Sequence, residues 1–184
     1  KVSAKESLPI AGSESVFQYR NKLEYAFTDR KWLTIPEIES GESFDRRGVG
    51  FHVPGSFLTV LDVEKCELQA EPTNQIRIAL KNFAIEHEFS FFDLKKQSGF
   101  LRNMIVRITS LNEIMVVIIF GNYHKENIEK CLAFLIDKFP QISSLQYAIN
   151  PKKNDTIYDL EVVLFKGKKY ITEVLGGYQF KIGA

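Results

Sequence analysis

This chain of 184 residues has little of what usually announces chemistry. It has only two cysteines, Cys66 and Cys131, far apart, so no disulfide framework can be drawn, and the roughly four thiolates of an iron-sulfur cluster are not available. Its three histidines, His52, His87 and His124, lack metal-ligand spacing and read as ordinary structural residues. No nucleophile and base pair in a triad pattern, and "LGGYQF" has neither the spacing of a phosphate-binding fingerprint nor a helix after it. There is no secretory signal and no apolar run long enough to cross a bilayer, so the expectation is a cytoplasmic protein with no membrane partner. An excess of one charge is also missing. The 24 basic and 23 acidic residues leave a formal charge of +1, so any nucleic-acid surface must come from local clustering.

What is present is apolar and aromatic. A content of 45% hydrophobic and 12% aromatic residues is enough to bury a sizeable core in one domain. The chain starts at Lys1 and stops in "YQFKIGA", which still reads as strand, so both ends are expected to be cuts in a longer protein.

Residues 1–15, polar with Pro9 and Gly12, read as a connecting segment, and 16–184 as one α+β domain. "YRNKLEYAF" alternates strictly, with Tyr19, Leu23, Tyr25 and Phe27 on one face and Arg20, Lys22 and Glu24 on the other. "IPEIESGESFDRRG" reads as a polar loop or insertion. "GVGFHV" and "FLTVLDV" follow as short strands around Pro54-Gly55. "TNQIRIALKNFAIEHEF" places Ile76, Leu80, Phe83 and His87 at helical spacing behind a Thr73 N-cap. "FLRNMIVRI" and "EIMVVIIFG" form a hairpin whose second strand, apolar throughout, should be central. "KENIEKCLAFLIDKF" is an amphipathic helix, "SSLQYAIN" a strand, and the remainder gives two or three strands. The tight turns predict a mainly antiparallel β-sheet with two amphipathic helices.

Cys131 fits a helix core, whereas Cys66, at a strand exit among charges in "VLDVEKCELQ", reads as a structural or free thiol. The remaining candidates are basic residues beside aromatics: Arg20 and Lys22, Arg102 and Arg107, Lys152 and Lys153, and Lys166, Lys168 and Lys169. Five residues apart, Arg102 and Arg107 should not share a face of a regular strand.

Several stretches, in order, resemble one family. "PIAGSESVFQYRNKLEYAF", "GFHVPGSF", "VLDVEKCELQ", "GFLRNMIVR", "YAINPKKNDTI" and "LFKGKKYITEVLGGYQFKI" are together similar to the central region of the RNA (uracil-5-)-methyltransferases, most closely the 23S ribosomal RNA branch. Roughly residues 33 to 47 depart from the pattern, as a variable insertion would. The resemblance implies an N-terminal RNA-binding barrel and a C-terminal S-adenosylmethionine-binding methyltransferase domain, both outside this chain. It also implies that the reaction, thiolate attack on uracil C6 with methyl transfer to C5, belongs to that C-terminal domain, so this chain alone should be inactive and hold no cofactor. Many members of the family carry a [4Fe-4S] cluster on four cysteines, and Cys66 resembles the fourth. For the central domain the resemblance implies ribosomal RNA gripped by Arg20, Lys22 and Arg102; by their chemistry Phe51 and Phe100 could stack on splayed bases, although phenylalanine is more often a core residue. The competing class is a non-enzymatic α+β module that binds protein through its sheet.

Overall fold

The computed structural model describes residues 6–184, so the first five positions of the expected connecting segment lie outside it. Residues 6–15 are exposed and without regular structure. The elements that follow are β1 (Lys22–Thr28), α1 (Ile35–Glu39), β2 (Gly48–Val53), β3 (Ser56–Asp62), α2 (Thr73–Glu86), β4 (Leu101–Ile108), β5 (Ile114–Phe120), α3 (Lys125–Lys138), β6 (Ile142–Ile149), β7 (Val162–Gly167), β8 (Ile171–Leu175) and β9 (Tyr178–Ile182).

Seven strands form one sheet in the order β3-β2-β1-β4-β5-β6-β7, and β8 and β9 make a separate hairpin. The α+β class and the mainly antiparallel pairing are as expected, with one exception: β5 and β6 are parallel. α3 lies between them in sequence, and parallel neighbours need a long connection of that kind. β5 is central, and all seven of its residues are buried. Ile114, Val116, Ile118 and Phe120 point into the main core, beneath α2 and α3. Met115, Val117 and Ile119 point to the opposite face, into a thinner layer with Ile105 and Ile171 of the β8–β9 hairpin. The two helices meet through the stacked rings of Phe83 and Phe134, 4.1 Å apart.

α1 is a third, short helix inside the stretch expected to be loop. Its signal is the run "TIPE": Thr34 accepts from the Glu37 backbone, and the Glu37 carboxylate accepts from Thr34 N at 2.7 Å, a capping box with Pro36 in the first turn. At α2 the expected cap fails. Pro72 is the N-cap, and the Thr73 hydroxyl donates to Gln69 Oε1 at 2.9 Å instead. Among the described residues no helix is long and apolar enough to cross a membrane.

Candidate nucleic-acid interface

β1 and β4 lie side by side in the middle of the sheet, and their register decides which charges meet. Lys22 stands directly opposite Arg107, and Glu24 opposite Ile105. Like charges across an antiparallel pair repel unless something anionic lies between them. Here the nearest carboxylate to Lys22 is Glu24, at 3.9 Å, beyond a direct hydrogen bond. The half-buried Arg107 has an Nε with no partner. Both cations line an open cavity of about 310 Å³ with Glu24, Asp155 and Tyr158, and the Tyr158 ring is 92% exposed. Burial pushes the Glu24 carboxyl above its ordinary range, with nearby Lys22 opposing the shift. The arrangement places two cations, two carboxylates and one exposed aromatic face around one cavity, with the Arg107 Nε left without a partner.

Arg20 does not join them directly. The first strand begins at Lys22, later than the alternation suggested, because the preceding segment bonds elsewhere: Gln18 N donates to Glu67 O and Arg20 N to Leu68 O, at 2.7 and 2.8 Å. Arg20 is exposed and lines a neighbouring cavity of about 290 Å³ with Tyr19, Gln69 and Glu173, and its guanidinium lies 5.9 Å from the Tyr19 ring centre.

Arg102 is the clearest departure from the expected patch, being only 1% exposed. Its Nη1 donates to the carbonyls of Asn150 and Lys152 at 2.8 and 2.6 Å, its Nη2 to Asn154 O and Asp155 Oδ1 at 2.9 Å each, and its Nε to Asp155 Oδ1 at 3.1 Å. The plane also lies 4.3 Å from the centre of the Phe92 ring. A guanidinium has five N–H donors, so none is left for a phosphate. Nor do Arg102 and Arg107 lie on opposite faces of β4, as regular alternation would place them. A β-bulge at Leu101/Asn103 inserts one residue, so that Leu101 and Met104 both face the main core. Arg102 therefore falls on the same side as Arg107, and both reach toward Asp155.

Phe100 is 4% exposed and stacked on Phe120, and Phe51 is packed against the core beside Tyr25, so neither is presented for stacking. Lys152 is taken up within its own loop by Thr156 O, at 2.7 Å, and by Asp159, whereas Lys153 is exposed. Lys168 is paired with Glu113 at 2.7 Å.

Cys66 is 6% exposed and belongs to the main core, as Cys131 does. Asn74 bridges its backbone, accepting from Cys66 N at 2.9 Å and donating to Cys66 O at 3.1 Å. Among the described residues there is no cluster of three or more His, Cys, Asp or Glu side chains able to hold a metal. One buried thiol does not fit a [4Fe-4S] cluster by itself, and a ligand role for Cys66 requires thiolates from outside this chain. Burial pushes the Cys131 thiol up to about 12.

No family model matches the chain. Its relatives are more informative. It is 44% identical over 187 residues to an uncharacterized RNA methyltransferase of Bacteroides thetaiotaomicron, covering all of this chain and 41% of that protein. It is 43% identical over 190 residues to one of Porphyromonas gingivalis, again over 41% of that protein, and 31% identical to one of Chlorobaculum tepidum, over 37%. The chain is thus similar, end to end, to part of RNA methyltransferases. It spans about two fifths of the length of those relatives. The tRNA (uracil-54, C5)-methyltransferase of Pyrococcus abyssi, solved with S-adenosyl-L-homocysteine, shares the fold: TM-score 0.64 at 23% identity, over 93% of this chain and 37% of that one.

Proposed function

We propose that this chain is the RNA-positioning part of an S-adenosylmethionine-dependent RNA (uracil-5-)-methyltransferase acting on 23S ribosomal RNA, with the methyl-transfer chemistry carried elsewhere in the protein. The relatives named RNA methyltransferases support the enzyme class. The observation that supports the positioning role is the cross-strand pair Lys22–Arg107, two cations facing each other on an open concave surface, with Glu24 no closer to Lys22 than 3.9 Å. A phosphate between them would relieve the repulsion, and Tyr158 beside them offers a face to an unpaired base. Arg20 extends the basic surface along the entry to β1. Arg102 serves as a positioning residue, holding the loop that carries Asp155 and leads to Tyr158. In the complete protein, Cys66 would supply one thiolate to a cluster finished by cysteines outside this chain.

Fluorescence anisotropy with labelled ribosomal RNA stem-loops across a salt series tests the reading. Binding should be weak, and affinity should fall steeply as salt rises, because each phosphate contact releases condensed counterions. Lys22→Ala and Arg107→Ala should each make the slope of log affinity against log salt shallower by about one phosphate contact. Lys153→Ala should leave it nearly unchanged. If the Lys22→Ala/Arg107→Ala double variant matched the parent in affinity and slope, the cavity would be a solvated surface and the protein-interaction class would take precedence.

A further inference from the structure

We infer that the recess built by residues 32–46 at the β3 edge of the sheet receives an unpaired nucleobase, stacked on Trp32. This rests on the RNA-binding reading above, but uses a different part of the surface and the one stretch that departs from the family resemblance.

α1 is held by its capping box and not by burial. None of its residues is buried, and Ile35 and Ile38 are 71% and 63% exposed. Even so, the excursion is tied down at its base: Lys31 N donates to Arg46 O and Trp32 N to Val60 O, both at 2.7 Å. A segment fixed in place while presenting its large apolar side chains to solvent forms a surface, not a core. The Trp32 indole, 47% exposed, bounds a cavity of about 240 Å³ with Leu33, Ile38, Arg46 and Thr59.

The chemistry of these walls selects the occupant. Arg46 is a fixed cation at the rim, because its Nε and Nη2 both donate to the Lys31 carbonyl, at 3.1 and 2.9 Å, and these bonds leave Nη1 unused. Two carboxylates of the excursion are engaged, Glu37 in the Thr34 capping box and Asp45 with Arg47 at 2.7 Å, while Glu39 and Glu42 are exposed and are not among the residues lining the recess. An aromatic plane and two aliphatic walls beside a guanidinium match a splayed-out base with its phosphate. A protein partner would need a broad contact of about 800 Å² per side. What is present is a single recess with a cationic rim, and that complementarity favours an anionic polymer.

Trp32 is the sole tryptophan of the chain, so its emission reports on this recess alone. The 184-residue chain would be titrated with an RNA hairpin bearing a single-stranded loop and with a fully paired duplex, while anisotropy of the labelled RNA follows total binding. The hairpin should quench Trp32 emission with the same midpoint as the anisotropy change, and the duplex should bind without quenching. Trp32→Ala should weaken hairpin binding about tenfold and leave duplex binding unchanged, with Trp32→Phe restoring most of the loss. Quenching in the unaltered chain needs no variant, so a folding defect in Trp32→Ala does not blunt the test. Hairpin binding without quenching, or equal affinity for Trp32→Ala, would overturn this inference while leaving the Lys22–Arg107 reading intact. Absence of any RNA binding by anisotropy would sink both.

Discussion

Five hydrogen bonds to four acceptor atoms meet at Arg102, and that count settles its role better than its charge does. Removing the side chain takes the Arg102 donors from the carbonyls of Asn150 and Lys152 and from the Asp155 carboxylate, leaves Asn154 O with only the Asn150 side-chain amide, and empties the place over the Phe92 ring. Asp155 is 44% exposed and can be rehydrated, so the loss comes mainly from the buried end of the network. Arg102→Ala should lower unfolding stability by about 3 kcal/mol, read as a shift of the urea midpoint, while the RNA salt slope stays as it was. Arg102→Lys should rescue little, since an ammonium cannot span the fork of acceptors. A variant with an unchanged midpoint and a shallower salt slope would return Arg102 to the proposed RNA-binding residues. In the sequence, Arg102 looks like any basic residue on an alternating strand. The bulge that turns it inward depends on the pairing with β5, and the carbonyls that bind it lie about fifty residues away, so nothing local could show either. The same holds for Cys66, whose burial depends on Asn74 and on α2 closing over it. The α1 capping box, by contrast, stands in four consecutive residues, and reading the stretch as a loop passed over a local signal.

At the scale of elements, β5 shows which parts of the fold composition does reveal. Seven apolar residues without a polar alternate require cover on both faces, and that placed β5 in the centre of the sheet before any pairing was known. The antiparallel hairpins were equally readable from short turns. The parallel β5–β6 pair was less so, because it follows from where α3 packs and not from any turn chemistry. The two covers of β5 are unequal, and a pair of substitutions measures the difference. Ile118 lies in the thick layer under α2 and α3, and Ile119 in the thin layer under the hairpin, with exposures of 0% and 1%. Ile118→Ala should cost about 4 kcal/mol, because two helices and a sheet cannot close the cavity easily. Ile119→Ala should cost about 2 kcal/mol, near the lower end of the range, since a two-stranded hairpin can settle into the gap. Equal losses in urea unfolding would mean that the hairpin is as firmly seated as the helices.

At the scale of the whole molecule, the arrangement of strands and cysteines decides which ligands these residues can hold alone. Ligands of open α/β sheets bind beyond the carboxyl ends of parallel strands, where the strand order reverses. This sheet has one parallel pair, β5 and β6. The turn from β5 into α3 reads Gly121-Asn122-Tyr123-His124, with one glycine, and His124 capping the helix by accepting from Asn127 N at 3.4 Å. That turn lacks the repeated glycines that let a backbone wrap a nucleotide. The two cysteines are both buried in the main core, one against Asn74 and the other in α3, and do not form a shared site. Titration calorimetry of the 184-residue chain with S-adenosylmethionine should therefore give no saturable heat, and iron analysis after anaerobic reconstitution should give well below one cluster per chain. On the function proposed above, the full-length protein prepared in the same way should show both. A saturable heat from the chain alone would place the cofactor pocket within these residues and move the catalytic step into this sheet. Stoichiometric iron in the chain alone would mean that Cys66 binds metal without partners from the rest of the protein.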